Sequence, residues 1–435
     1  MKQTEIGLIP DDWEVKEIKD FADVTTGNKN TQDAVENGKY PFYVRSPIVE
    51  RINDYSFDSE GIITAGDGVG TGKVFHYAKG KFGLHQRAYL IHNFKDVEPK
   101  YFYFNFSKNF YERVHSMTAK SSVDSVRREM ITKMQIPIPP TLAEQQRIAN
   151  ALSDVDALIS TTEKLIQKKK NIKQGAMQNL LTGKKRLPGF GEKQADLFVP
   201  NGTHTKKVKD VSPEQIRLST KKKQTELGEI PEDWGVKSLG DIFSIKHGYG
   251  FEGQFFSSEN NQHIVVTPGN FKLEGGFQKQ KQPIYYTGTY PDEFKLKPND
   301  LIIMMTDLSK NSDTLGNPAI VPDDGNDYLH NQRIGLIQIH NDSFVKDYIY
   351  LLLCTKEYHE AVVSTAAGST VKHTSPNRIY SINLVVSTSK KEQTAIANVL
   401  SSMDKEIETL NTKLEKYRNL KTAMMQQLLT GKIRL

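Results

Sequence analysis

The chain contains two internal repeats, and each is found once in each half. The segment Gln3–Asp20 (QTEIGLIPDDWEVKEIKD) recurs as Gln224–Asp241 (QTELGEIPEDWGVKSLGD). The segment Ala143–Leu187 (AEQQRIANALSDVD…MQNLLTGKKRL) recurs as Lys391–Leu435 (KEQTAIANVLSSMD…MQQLLTGKIRL). The sequences between the repeats are dissimilar and differ in length. Constant segments duplicated around variable ones predict one scaffold that carries two different recognition domains.

Both copies of the second repeat have the pattern of a long amphipathic helix. In the C-terminal copy, apolar residues keep a four-then-three spacing from Ile396 to Leu428, interrupted by Lys421, and the other copy keeps it less strictly from Ile148 to Leu180. A capping-box pattern marks each start, and Thr-Gly marks each end. A helix of about 40 residues is about 60 Å long. The simplest way to bury the apolar stripe along each helix is to pack the two helices against each other. The alternatives are that each helix packs on its own domain or that its stripe binds another protein.

The variable segments are typical of mixed α/β domains, in which strands punctuated by glycine precede a helix and a closing strand. The helices are expected at Tyr101–Met117 and Tyr348–Val363. We therefore predict an α/β (α+β) fold with two globular recognition domains, separated by a pair of long antiparallel coiled-coil helices in a pseudo-twofold internal repeat. The predicted boundaries are residues 1–142 for the first domain, 143–183 for the first helix, 184–223 for a basic linker, 224–390 for the second domain and 391–435 for the second helix.

Composition limits the class of protein. The single cysteine, Cys354, excludes an internal disulfide framework and favours a cytoplasmic location. A continuous apolar run of membrane-spanning length is missing from the sequence, so no membrane partner is expected. The net charge is +6, but residues 184–223 alone carry eleven Lys or Arg against four Asp or Glu. The basic character is therefore concentrated in the linker, and net charge alone is weak evidence for DNA binding.

Enzymatic motifs are incomplete. The segment Gly66–Val74 (GDGVGTGKV) resembles a phosphate-binding loop, but Asp67 stands where the first glycine is required and Lys73 is followed by valine. The segment Pro291–Lys295 (PDEFK) superficially resembles a nuclease element, without a convincing upstream Asp on a strand. We found no His/Cys cluster with metal-ligand spacing and no nucleophile elbow. We therefore predict a chain that is not an enzyme by itself and binds no metal or cofactor.

The remaining signals concern recognition. Each variable segment has a Gln-Arg pair at the start of a strand, and these side chains form bidentate contacts with adenine and guanine edges. Ser, Thr, Lys and Arg in the loop after each domain's helix suit phosphate contacts. The predicted DNA-binding residues are Lys73, His76, Lys79, Lys81, Gln86, Arg87, Lys120, Ser121 and Arg127 in the first domain, and Lys310, Asn311, Asn331, Gln332, Arg333, Ser369, Lys372 and Arg378 in the second.

Two alternatives concern these residues and the repeated tryptophans. The Gln-Arg pairs are retained in both domains, which is equally consistent with a structural role in which they hold a loop through backbone hydrogen bonds. Residues that read different DNA sequences should differ between the domains, which favours Lys73, His76, Lys81, Lys310, Asn311 and Asn331 as base readers. Trp13 and Trp234 lie in the repeated IP-x-DW element. We expect both to pack in the core, where this element docks the chain against the helices, rather than to stack on a base.

These repeated motifs resemble the specificity subunit of type I restriction-modification systems. The resemblance rests on TEIGLIPDDWEV, PIPPTLAEQQRIANAL, TELGEIPEDWGVKSL, KKEQTAIANVL and MQQLLTGKIRL, and it covers essentially the whole chain. It implies two target recognition domains, each of which reads one half of a split asymmetric site in double-stranded DNA. It also implies helices that set the spacer and dock two methyltransferase subunits. S-adenosylmethionine, ATP and Mg²⁺ would bind to those partners and to the restriction and translocation subunits.

Two hypotheses from other classes compete with this one. A stand-alone sequence-specific DNA-binding regulator would bind duplex DNA tightly without a methyltransferase partner. A coiled-coil adaptor would bind protein and not DNA, and it would not need the Lys, Arg and Gln clusters of the variable domains. The sequence leaves open the target DNA sequence, the spacer length and an inactive or regulatory role.

Overall fold

The computed structural model describes residues 1–118, 125–191, 217–218, 221–307, 309, 312–368 and 371–435. It divides into two compact units: Met1–Leu165 with Leu410–Leu435, and Ile166–Thr409. Each unit contains one mixed α/β domain together with parts of both long helices. The predicted fold class is thus confirmed, and each compact unit combines segments from both halves of the chain. Among the described helices, none is long and apolar enough to cross a membrane.

The first unit is built around a six-stranded sheet. Its strands lie in the order Asp23–Thr26, Ala88–His92, Phe57–Ala65, Phe75–Leu84, Tyr40–Tyr43 and Glu50–Ile52. All neighbouring strands are antiparallel except the Tyr40–Tyr43 and Phe75–Leu84 pair. The remaining elements are the hairpin Lys2–Thr4 and Gly7–Ile9, the strand pair Glu14–Glu17 and Gln135–Ile138, and the helices Pro99–Thr118 and Arg128–Thr132. The expected helix at Tyr101–Met117 is confirmed.

The second unit is also a mixed α/β domain, but its main strands form two sheets, of four and five strands. One sheet contains Phe243–His247, Ile334–Ile339, Leu301–Met304 and Pro318–Ile320, and the other contains Phe256–Ser257, Tyr285–Tyr286, His263–Val265, Asp327–Leu329 and Lys295–Leu296. Smaller strand pairs are Lys185–Arg186 with Arg217–Leu218, Lys222–Thr225 with Gly228–Pro231, Trp234–Ser238 with Asn383–Ser387, and Thr306–Asp307 with Lys372–His373. Its helices, apart from the long ones, are Lys346–Leu353, Lys356–Ser364 and Pro376–Tyr380.

The single helix expected at Tyr348–Val363 was wrong, because the structure has two helices there. The first ends at Leu353, and the second begins at Lys356. Thr355 is the N-cap of the second helix, and its hydroxyl accepts a hydrogen bond from the Tyr358 N–H. A threonine in this position competes with helix continuation by satisfying a backbone donor, which the apolar periodicity alone did not reveal.

The long helices span Leu142–Leu180 and Lys390–Leu428. Stripe residues at both ends are buried, among them Ile148, Leu180, Ile396 and Leu428, which confirms the predicted apolar face. At the two starts, the hydroxyls of Thr141 and Ser389 each accept a hydrogen bond from the N–H three residues later. The glycines after the two ends have left-handed backbone conformations, with φ of 67° and 66°, as expected for helix stops.

The helices pair in an antiparallel manner within each unit. In the first unit, Lys421 lies 2.6 Å from Asp156, and Arg418 lies 2.8 Å from Glu163. The order is reversed along the two helices, as antiparallel packing requires. In the second unit, Lys169 forms an ion pair with Glu406, and Lys173 lies 2.6 Å from Asp404. Lys421 is the one polar residue in the apolar stripe. Its ammonium forms an ion pair with Asp156 and lies 5.6 Å from the centre of the Phe104 ring.

Each helix is followed by a short tail that packs on an IP-x-DW element of its unit. In the first unit, a Cβ on Gly431 would lie 2.4 Å from Pro10 and 3.2 Å from Trp13. This close approach requires glycine at that position. Trp13 and Trp234 are both fully buried, so their predicted core role is confirmed.

The tail of the first helix packs in the same way in the second unit. A Cβ on Gly183 would lie 2.6 Å from Pro231 and 3.2 Å from Trp234. Arg186 and Leu187 fall within the predicted basic linker, 184–223, but both are buried. The tail therefore belongs to the folded unit. Residues 192–216 and 219–220 of the predicted linker lie outside the described residues.

Candidate nucleic-acid interface

The first Gln-Arg pair lies in a tight turn that leads into the strand Ala88–His92. The Ala88 N–H donates to the His85 carbonyl at 2.9 Å, and the Arg87 N–H donates to His85 Nδ1 at 3.0 Å. His85 is buried, and burial lowers its pKa, so a neutral ring accepts this bond. The side chains of Gln86 and Arg87 are exposed. The backbone of the turn is therefore structural, and its two exposed side chains donate hydrogen bonds, Gln86 to Asn30 Oδ1 and Arg87 to Asp67.

The second Gln-Arg pair has the same frame in the other unit. The Ile334 N–H donates to the Asn331 carbonyl at 2.9 Å, and the Arg333 N–H donates to Asn331 Oδ1 at 2.9 Å. Asn331 thus performs the role of His85 in stabilising the turn, although we predicted it to be a base reader. Gln332 and Arg333 are exposed. The backbone of each Gln-Arg pair therefore has a structural role, and its side chains are exposed; contact of these side chains with DNA stays a prediction.

Each Gln-Arg turn is hydrogen-bonded to the residue that follows a central strand of its sheet, which is Phe57–Ala65 in the first unit and Leu301–Met304 in the second. In the first unit, the Gly66 N–H donates to the Arg87 carbonyl at 2.8 Å, and the Gly66 carbonyl accepts from Val126 at 2.7 Å. In the second unit, the Met305 N–H donates to the Arg333 carbonyl at 2.9 Å, and the Met305 carbonyl accepts from Thr374 at 3.1 Å. Three separate stretches of sequence meet at corresponding places: the central-strand loop, the Gln-Arg turn and the segment after the helix.

A cluster of two arginines and one carboxylate lies at this junction in the first unit. Asp67 accepts hydrogen bonds from Nη1 of Arg45 and, at 3.1 Å, from Nη1 of Arg87. Burial alone would raise the pKa of Asp67, but its bonds to the two guanidinium groups lower it. The Arg45–Asp67–Arg87 cluster therefore has one net positive charge. Arg45 was missed because it follows a strand and lies in no motif that suggests recognition.

Lys73 closes the glycine-containing loop next to this cluster. Its ammonium lies 5.4 Å from the centre of the Tyr111 ring, and its side chain is exposed. The Lys73 N–H donates to the Gly70 carbonyl at 3.0 Å, which fixes its backbone. Arg127, the residue before the helix Arg128–Thr132, is also exposed and adjoins Val126. These two cations therefore belong to the same junction as the cluster.

The other predicted residues of the strand Phe75–Leu84 have different surroundings. His76 is half-buried, with Nε2 2.9 Å from the Ser46 carbonyl, and burial lowers its pKa. Lys79 and Lys81 are exposed but lie four and six residues from the start of this strand, or up to about 20 Å away along it. The fold therefore holds His76 by a backbone contact and places the two lysines progressively farther from the junction.

In the second unit, Asp307 organises the loop that corresponds to the glycine-containing loop. Its carboxylate accepts bonds from the N–H groups of Ser309 at 2.6 Å and Thr314 at 2.7 Å. Burial would raise the pKa of Asp307, but these bonds lower it, so the loop is held by an ionised carboxylate. Lys372 is half-buried on the strand paired with Thr306–Asp307, and Arg378 is half-buried in the helix Pro376–Tyr380. The predicted Lys120, Ser121, Lys310, Asn311 and Ser369 lie outside the described residues.

His330 lies next to the Gln332-Arg333 turn, and we expect it to make the stability of the protein depend on pH. It is fully buried, its Nε2 lies 2.8 Å from the Ile334 carbonyl, and burial lowers its pKa to about 4. As pH falls below about 6.5, the unfolded state binds a proton that the folded state does not, so the free energy of unfolding decreases. We expect His330→Gln, which retains a donor, to remove about 2 kcal/mol of the loss between pH 7.5 and pH 5. Urea unfolding of both proteins at the two pH values would measure this, and equal losses would contradict it.

The chain is similar to known proteins of one family. The model of the family described as "Type I restriction modification DNA specificity domain" matches residues 10–173 and 231–416. The type I restriction enzyme MjaVIII specificity subunit of Methanocaldococcus jannaschii is 25% identical over 98% of this chain and 94% of its own length. The putative type I restriction enzyme MjaX specificity subunit of the same organism is 26% identical over 100% of this chain and 96% of its own length. The crystal structure of the type I restriction-modification system S subunit from M. genitalium has a similar fold, with a TM-score of 0.61, 15% identity and 98% coverage of both chains.

Proposed function

Because the chain belongs to the type I restriction-modification DNA specificity family, we propose that it is the subunit that gives such a complex its DNA sequence specificity. Each recognition domain reads one half of a bipartite asymmetric site in duplex DNA, and the long helices set the spacer and dock two methyltransferase subunits. One observation carries the proposal for DNA reading. The two domains expose a Gln-Arg pair on the same backbone frame, whereas the surrounding loops differ.

The exposed groups have chemistry that suits duplex DNA. Arg and Gln are the side chains that form bidentate contacts with guanine and adenine in the major groove. In the first domain, Asp67 holds Arg87 and thereby lowers the conformational entropy that a contact would cost. The remaining positive charge of the cluster attracts phosphate. Such contacts position the protein, whereas base edges specify the sequence.

Catalysis and cofactor binding are assigned to partner subunits in this proposal. Relatives that align over nearly the whole chain are named specificity subunits of type I restriction enzymes. In the complex, the methyltransferase subunits would bind S-adenosylmethionine and methylate adenine. The restriction subunits would use ATP and Mg²⁺ for translocation and cleavage. The chain itself selects the DNA site at which those subunits act.

Methylation mapping in cells tests the function directly. The chain would be expressed with its neighbouring methyltransferase subunit, with each protein alone as a control, and methyl-adenine would be mapped across the genome. We expect one split motif that is methylated only when both proteins are present. A stable complex without new methylation would contradict an active specificity role and favour a regulatory one. Tight DNA binding by the chain without any complex would favour the stand-alone regulator.

We expect Lys73→Ala to weaken recognition at one half-site only. Lys73 is exposed at the end of the first-domain loop that carries Asp67, with its ammonium 5.4 Å from the centre of the Tyr111 ring. A base contact contributes about 1–3 kcal/mol of discrimination, so the variant should relax the motif at one position of one half-site. Binding of the assembled complex to DNA duplexes with single substitutions would measure the change.

Lys19→Ala is the matched control for this prediction. Lys19 is an exposed lysine of the same domain, and it pairs with Glu17 rather than lying at the junction. It should leave both affinity and motif unchanged. An equal loss of affinity by Lys73→Ala for every DNA sequence would show that Lys73 contacts phosphate rather than a base.

A further inference from the structure

The loop of residues 66–73 carries a fully exposed valine at its tip. The side chain of Val69 is 100% exposed, although it is apolar and β-branched. Single exposed apolar residues are common on protein surfaces and by themselves indicate little. The surroundings of Val69 distinguish it, because an ordered turn presents it beside a cluster of cations.

Hydrogen bonds within the loop hold the valine in place. Residues 68–71 form a β-turn in which the Thr71 N–H donates to the Gly68 carbonyl at 3.0 Å, and the Thr71 hydroxyl donates to the same oxygen at 2.7 Å. Gly68 has a φ of 77°, which favours glycine at that position. Val69 occupies the second position of this turn. A valine side chain also has few accessible rotamers, so covering it with a ligand costs little conformational entropy.

The loop lies directly against Arg45. A Cβ on Gly70 would lie 2.5 Å from the Arg45 carbonyl oxygen, and a Cβ on Gly68 would lie 3.7 Å from Arg45 Nη1. Two residues before Val69, Asp67 bonds Arg45 and Arg87. The apolar tip is therefore flanked by groups that suit a polyanion. A partner that contacts both Val69 and these arginines would combine negative charge with a small apolar group.

We propose that Val69 is a specificity-determining residue of the first domain and contacts the 5-methyl group of a thymine in the major groove. The inference rests on the proposed function and adds a residue and a base to it. Thymine presents the one methyl group among the four base edges in that groove, and small apolar side chains are its usual contacts. Arg87 and Val69 would then read neighbouring base pairs, one by hydrogen bonds and the other by apolar contact.

Replacing thymine by deoxyuridine tests the contact, because it removes the methyl group and preserves base pairing. The chain assembled with its methyltransferase subunits would be titrated with duplexes in which each thymine of the recognised half-site is replaced in turn. We expect one replacement to weaken binding of the unmodified protein about fourfold, the equivalent of one buried methyl group at about 0.8 kcal/mol. Val69→Ala should lose most of this preference for thymine over deoxyuridine, whereas Val69→Ile should retain it.

Val35→Ala is the control variant. Val35 is an exposed valine of the same domain whose N–H bonds Arg51 rather than the Arg45–Asp67–Arg87 cluster, and it should retain the full thymine preference. An unchanged preference in Val69→Ala, or a recognised half-site without an A·T pair, would overturn the inference and leave the proposed function intact. A failure of the unmodified complex to bind any split motif would instead overturn the proposed function.

Discussion

Removing one heptad from each long helix should shorten the spacer of the recognised DNA site by about three base pairs, since seven helical residues span about 10 Å and duplex DNA rises about 3.4 Å per base pair. The matched deletions are residues 160–166 and 411–417. Because seven residues are one full period of the apolar stripe, the remaining stripe positions keep their phase. Methylation mapping should show the original half-sites at the new separation and little methylation at the old one.

Two control variants make this test specific. A deletion of two residues from each helix turns the rest of the apolar stripe by about 200°, to the opposite face, so we expect it to destabilise the helix pair rather than to yield a new spacer. A heptad deletion in the first helix alone changes the register between the two helices, so Lys169 and Lys173 no longer align with Glu406 and Asp404 on the second helix. An unchanged spacer in a stable protein with both heptads removed would show that the helices do not set the spacer.

The parts of the fold that could be predicted from the sequence are those with local signals. Apolar residues at heptad spacing gave the buried faces of both long helices, and the glycines after them gave the helix ends. The duplicated IP-x-DW element correctly indicated buried tryptophans. In each case, the physical cause lies within a few residues of the signal, as with a helix period or a left-handed cap.

The parts that could not be predicted depend on contacts between distant residues. Arg186 lies in a segment whose composition is typical of a linker, yet it is buried because Glu392, more than 200 positions away, binds it. Arg45 and Arg87 are brought together by Asp67 through sheet pairing, which leaves no periodic signal. The amide oxygen of Asn331 stabilises the turn, which its residue type did not indicate, and base reading by Asn331 stays a prediction. Residue type alone does not show whether a polar side chain bonds the backbone or a ligand.

The two tails end in equivalent arginine forks that differ in burial. Arg186 donates to Glu392 through Nε and Nη2, both at 2.7 Å, and it is 4% exposed. Glu392 is 1% exposed and also accepts a bond from Trp234 Nε1 at 2.9 Å. In the first unit, Arg434 donates in the same way to Glu144 at 2.8 and 2.7 Å, but it is 44% exposed. Solvent therefore screens the Arg434–Glu144 pair more than the Arg186–Glu392 pair.

The buried fork has the largest expected effect on stability. Arg186→Ala should destabilise the second unit by about 3–5 kcal/mol, because it leaves the Glu392 carboxylate buried without a compensating charge. The double variant Arg186→Met with Glu392→Gln should recover much of this loss, since no charge is then buried and the glutamine oxygen still accepts from Trp234. Urea unfolding followed by circular dichroism would measure both. The matched variant Arg434→Ala should cause a smaller loss, because Arg434 is the exposed partner and its removal admits water to the Glu144 carboxylate. If the two single variants lose equal stability, or if the double variant is no more stable than Arg186→Ala, the unpaired buried carboxylate is not the cause.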